Sequence, residues 1–126
     1  MLGQIYNASE KYSEAIALTE GSLQTDPTSQ FMLQISGYAY AMSGRRHEAE
    51  EIIKRFQEIE KTQYAMSYYV ATIYAALGEK DKAFSELEKA FEAHDWDFLR
   101  LKVDPAVAPL RHDPRFKDLL HRIRLD

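Results

Sequence analysis

The sequence predicts an all-α chain of three stacked helix pairs closed by a C-terminal helical cap, and three observations predict it. Similar residues return every thirty-four positions; glycine punctuates two of the units at the same place; and the first segment of each unit is free of charge. Tyr6, Tyr40 and Tyr74 share one register, Ala15, Ala49 and Ala83 a second, Gly3, Gly37 and Ala71 a third, and Gly44 and Gly78 a fourth. A period of this length marks a unit that cannot bury its apolar face alone, so residues that touch a neighbouring unit repeat while exposed residues drift.

The elements follow in order. In the first unit, residues 1–29, "MLGQIYNAS" supplies a first helix entered partway along its length, with Gly3 in the small slot and Pro27 near the unit's end. In the second, residues 30–63, Leu33, Gly37 and Tyr40, then Ala49, Ile52, Ile53 and Phe56, recur at helical spacing. They predict helices over about 30–43 and 46–60, joined at Gly44. The third unit, residues 64–93, repeats the plan around Ala71, Tyr74, Gly78, Ala83 and Leu87. Gly44 and Gly78 fall where a helix pair must reverse, a place suited to a residue that tolerates positive φ. Gly37 and Ala49 instead read as points of close helix approach.

The tail, residues 94–126, departs from the repeated letters. Asp104 before Pro105 and Asp113 before Pro114 each offer a helix N-cap followed by proline in the first turn. Phe116, Leu119, Leu120 and Ile123 then share one face of a last helix of about eleven residues, expected to cover the open end of the stack.

At 126 residues the chain fits one domain, and it has no cysteine. That excludes disulfide frameworks, thiolate metal sites and cysteine nucleophiles. The formal net charge is −4, with nine basic against fourteen acidic residues over 1–93 and seven against six over 94–126. This balance argues against a general grip on nucleic acid or an anionic membrane. No apolar run approaches the ~20 residues that span a bilayer, and Met1 is not followed by a secretory-type leader, so a cytoplasmic location is expected.

The pattern of "LGQIY" at Leu2–Tyr6, with Gly37, Tyr40 and Ala49 in the next unit, resembles the tetratricopeptide repeat. Departures are Leu33 and Ser67 in the tryptophan slot, Ser36 and Val70 in the leucine slot, and Lys61 and Asp95 in the proline slot. The resemblance implies a right-handed α–α superhelix whose first helices line a concave groove, and a non-catalytic scaffold that binds a protein or peptide. The wording "DPxxxPLRxDPRFxxLL" is similar to the ends of such repeat regions in bacterial multidomain regulators, which implies an interaction module of a larger protein.

Groove residues follow from helical offsets: Gln34, Tyr38 and Ala41 in the second unit, Tyr68, Thr72 and Ala75 in the third, Gln4 and Asn7 in the first. Tyrosines there pack apolar or aromatic anchors of a partner while amides bond its backbone. The alternative is that the first helices are neutral because neighbours enclose them. Some family members clamp a terminal carboxylate with lysine, asparagine and arginine, but the matching places hold Gln34, Ile35, Ala65 and Tyr69. A chaperone-tail receptor is therefore not expected. An uncovered N-terminal face carrying Leu2, Ile5 and Tyr6 offers a second role, homodimerisation or the bracing of a neighbouring domain.

No phosphate-cradling glycine loop, nucleophile elbow or paired-carboxylate arrangement occurs, so no enzyme activity, cofactor or metal is expected. His47 with Glu51 reads as a solvated i, i+4 pair. Trp96 reads as an anchor for the tail.

Overall fold

The computed structural model describes residues 11–93 and 104–125, with side chains to Arg122. Among the described residues the chain is all helical, with six α-helices and one 3-10 helix. These are α1 (Tyr12–Thr25), α2 (Gln30–Met42), α3 (Arg46–Glu60), α4 (Ser67–Ala76), α5 (Lys80–Glu92), the 3-10 helix Pro105–Leu110, and α6 (Pro114–Leu125).

The period visible in the letters is also the period of the backbone. Helices α1, α3, α5 and α6 begin at Tyr12, Arg46, Lys80 and Pro114, each thirty-four residues after the last. Helices α2 and α4 and the 3-10 helix end at Met42, Ala76 and Leu110, again thirty-four apart. The tail, whose letters break the period, therefore keeps the register at the end of its 3-10 helix and the start of α6. Asp104 does cap a helix, its Oδ1 accepting from Ala106 N at 3.0 Å, but the segment is a six-residue 3-10 turn with Pro109 inside it. Proline lacks the N–H that a longer α-helix would need there.

The turns of the second and third units are copies of one another. Arg45 N donates to Tyr40 O at 2.8 Å and Glu79 N to Tyr74 O at 2.9 Å; Gly44 N donates to Ala41 O and Gly78 N to Ala75 O. Gly44 and Gly78 have φ of 82° and 80°, the left-handed conformation that closes a helix and reverses the chain. A basic side chain faces each tyrosine ring, Arg45 over Tyr40 and Lys82 over Tyr74.

Helix α2 packs against α1, α3 and α4, and α4 against α2, α3, α5 and the 3-10 helix. Their lack of charge has this physical cause: enclosed on several sides, they have little surface on which a charge stays hydrated. Helices α3 and α5 each carry one buried stripe, Ala49, Ile52, Ile53, Phe56 and Ile59 in one and Ala83, Phe84, Leu87 and Ala90 in the other. The main core joins α2 through α6, with Leu33, Phe56, Ile73, Val107 and Leu110 fully enclosed, whereas α1 meets α2 in a smaller cluster of Ala15, Ile16, Ile35 and Ala39.

Units are also stitched by polar bonds that span nearly one period. The Gln30 amide uses both ends, Nε2 donating to Tyr64 O and Oε1 accepting from Met66 N, and so fixes the entry to α4. Arg46 reaches Glu79 at 2.6 Å, Arg115 reaches Asp81 at 2.8 Å, and Arg122 bonds Glu88. On α6, Phe116 and Leu119 are buried and Leu120 half-buried, and this last helix packs against α5. The side chain of Ile123 lies outside the described residues, as do Trp96 and residues 1–10.

Candidate functional site

Two faces of the chain are candidates for a site: the predicted groove face, and a cleft between α1 and α3.

The groove face is largely sealed. Gln34 is 5% exposed, and its Nε2 donates to Thr72 Oγ1 at 3.1 Å; Thr72 is fully buried and donates in turn to Tyr69 O at 2.7 Å. Tyr68 is 4% exposed, and its hydroxyl donates to Asp104 Oδ2 at 2.7 Å. Ala41 and Ala75 are buried as well. All five residues are buried and present little surface, and Gln34, Thr72 and Tyr68 bond across units or to the tail. Burial follows because α2 and α4 lie against one another and the tail covers α4. Tyr38 remains half-exposed, its ring edge-on to Tyr12 at 6.5 Å, and Met42 at the end of α2 is 40% exposed. Gln4 and Asn7 lie outside the described residues, as do Leu2, Ile5 and Tyr6 of the proposed pairing face.

Tyr68 thus ties the tail to the third unit. Tyr68→Phe removes only that hydroxyl and leaves the Asp104 carboxylate short of a donor, at an expected cost of about 1.5–3 kcal/mol. Chemical denaturation followed by circular dichroism measures it, and a change of only a few tenths would show that the tail is held by other contacts.

The cleft has α2 as floor and α1 and α3 as walls. It has a volume of about 360 Å³ and is lined by Glu20, Leu23, Gln24 and Pro27 from the α1 side, Ser36 and Tyr40 from α2, and Ile52 and Arg55 from α3. One unit further on, the gap between α3 and α5 over α4 holds only about 20 Å³. Four lining positions correspond at thirty-four residues: Leu23 with Gln57, Ser36 with Val70, Tyr40 with Tyr74, and Ile52 with Glu86. Sequence reasoning missed the open cleft because it sought a site on the first helices alone. The available signal was Ser36 in the register of Val70.

Glu86 brings a carboxyl into the register of Ile52, and its side chain is 19% exposed, 3.5 Å from Lys89. Burial raises its pKa above the usual glutamate range, and Glu60 adds to the rise against Lys89 and a hydrogen bond from Ser67. An acid with a raised folded pKa holds its proton more firmly in the native chain than in the unfolded one. Its contribution is therefore present below the unfolded pKa and is lost as pH rises through the folded value. Glu86→Gln is expected to raise stability at about pH 7 and to give no gain near pH 4. Thermal melts at the two pH values read the difference, and an equal effect at both would assign the change to packing.

His47 is exposed, with Nε2 4.0 Å from Glu51 Oε1, and that same oxygen accepts from Lys54 at 3.2 Å. Among the described residues no three potential metal ligands cluster, and no helix is long and apolar enough to cross a membrane. Comparison with protein-family models, with curated proteins and with solved structures finds no match to this chain.

Proposed function

We propose that the chain is a non-catalytic scaffold of the tetratricopeptide type, a right-handed superhelix of helix pairs that binds a protein or peptide through apolar or aromatic anchors. One observation carries the reading: four helices begin at a constant interval of thirty-four residues, and the two glycine turns between them have the same hydrogen bonds. Repetition of one hairpin builds a rigid surface with side chains at regular spacing, and rigidity lowers the ordering cost of binding. The open parts of that surface carry the half-exposed Tyr38, exposed Met42 and Tyr64, and the cleft over Ser36 and Tyr40. The wording of the tail supports placement within a larger cytoplasmic bacterial regulator as part of the same proposal.

Selection of displayed random peptides on the full chain tests it. Enrichment of sequences with spaced aromatic or branched residues is expected. Their binding should fall at least several-fold in Tyr38→Ala with Met42→Ala while helical content is unchanged. Absence of any enriched sequence class, or full retention of binding in that variant, overturns the assignment to this face.

A further inference from the structure

We propose that the cleft between α1 and α3 receives one aromatic side chain of a partner peptide, with an acidic residue beside it meeting Arg55. The inference rests on the scaffold reading and deepens it by naming what the cleft accepts.

The aromatic part follows from comparing the two corresponding gaps. The gap between α3 and α5 is filled from within the chain: Phe56 lines it and is 1% exposed, and Val70 forms its floor. At the matching positions the first unit has Ser22, which is exposed, and the second has Ser36. Ser22 does not line the first cleft, but Ser36 leaves its floor without the branch methyls of Val70, and the cleft holds about 360 Å³ against about 20 Å³. The walls that remain, Leu23 and Ile52, are apolar. A planar ring fits such a slot at low cost in side-chain freedom.

The acidic part follows from unmet donors. Of the arginines whose side chains are described, Arg45, Arg46, Arg115 and Arg122 each pair with a carboxylate, and Arg111 donates to Asp104 O. Arg55 has neither kind of partner among the described residues, because Glu51 on its own helix is taken by Lys54 and Glu58 by Lys61. The hydroxyls of Ser36 and Tyr40 also make no hydrogen bond within the described protein. Three donors on the α2 and α3 sides of the cleft therefore bond no acceptor of the described protein, an arrangement that a partner's carboxylate completes. Glu20 stands on the opposite wall, likewise unpaired, and it sets a direction: the partner's acidic residue lies toward α3 and away from α1.

Isotope-labelled full chain titrated with three capped dipeptides, acetyl-Asp-Phe-amide, acetyl-Lys-Phe-amide and acetyl-Asp-Ala-amide, tests the proposal by amide NMR. The Asp-Phe probe is expected to give saturable shifts at Ser36, Tyr40 and Arg55, with affinity about fivefold above the Lys-Phe probe. The Asp-Ala probe should give none. Arg55→Glu, an exposed change that leaves the core intact, should invert the preference between the two phenylalanine probes. Ser36→Val, which copies Val70, should weaken both. Equal affinity for the Asp-Phe and Lys-Phe probes, or shifts that persist unaltered in Arg55→Glu, would overturn it. The outcome is separable from that of the peptide selection: loss of selected peptides in the Tyr38 and Met42 variant leaves the cleft result standing, and the reverse also holds.

Discussion

Phe56→Ala is expected to destabilise the chain by about 3–5 kcal/mol, the range for truncating a fully enclosed phenylalanine. Phe56 is, among the described residues, the largest side chain with less than 2% exposure, and it sits where α3 meets α4 and α5. Its neighbours Ile53, Val70 and Tyr74 are carried on helices pinned by the Gln30 and Arg46 bonds, so the walls have little freedom to collapse. The gap around it is already small, about 20 Å³, and truncation would enlarge it by the volume of the lost ring. Urea denaturation followed by circular dichroism measures the loss. A shift worth less than ~1 kcal/mol would mean that α3 and α5 close over the void, and would contradict the rigidity argued for the stack.

Gly37→Leu is expected to cost roughly 3 kcal/mol or more, at or beyond the upper end of overpacking penalties. A Cβ at Gly37 would lie 2.5 Å from Ile73 Cδ1, 2.9 Å from Ile52 Cγ2 and 3.1 Å from Ile73 Cγ1. Both isoleucines are buried, and a β-branched side chain on a helix has essentially one χ1 rotamer, which fixes Ile52 Cγ2 and Ile73 Cγ1, while Ile73 Cδ1 can turn about χ2 only into a packed core. Gly37→Ala sets the scale: the better helix propensity of alanine, about 1 kcal/mol, offsets part of the clash, and a smaller net loss follows. Equilibrium denaturation of both variants gives the ordering, leucine worse than alanine and alanine no better than glycine. A Gly37→Leu chain as stable as the parent would show that α2 does not approach α3 and α4 this closely.

These two residues also show how far the letters could be read. Gly37 was marked as a contact point because small residues share its register, and the contact is there. The helix spans over 30–43 and 46–60, and the turns at Gly44 and Gly78, were legible for a local reason: periodic apolar residues and a positive-φ glycine act within a few residues of themselves. The tail was legible only in part. Its two Asp-Pro starts mark helices, but the continuity of the thirty-four-residue register is carried by backbone positions at Leu110 and Pro114 whose side chains resemble nothing earlier in the chain.

The candidate groove residues mark the limit. Offsets along a helix place Gln34, Tyr68 and Thr72 on one side of their helices, and that placement holds whatever lies against the side. Whether the side meets water depends on how closely the next helix comes and on where the tail returns. Both are long-range facts: Gln34 bonds a residue thirty-eight positions away and Tyr68 one thirty-six away.

By itself, then, the sequence determined the helices, their turns and their repetition, because hydrophobic period and glycine conformation are local properties of the chain. Only the tertiary structure decided which surfaces stay open. Closure depends on volumes contributed by residues from separate units, and a serine in the register of Val70 floors a cleft that neither wall helix reveals alone.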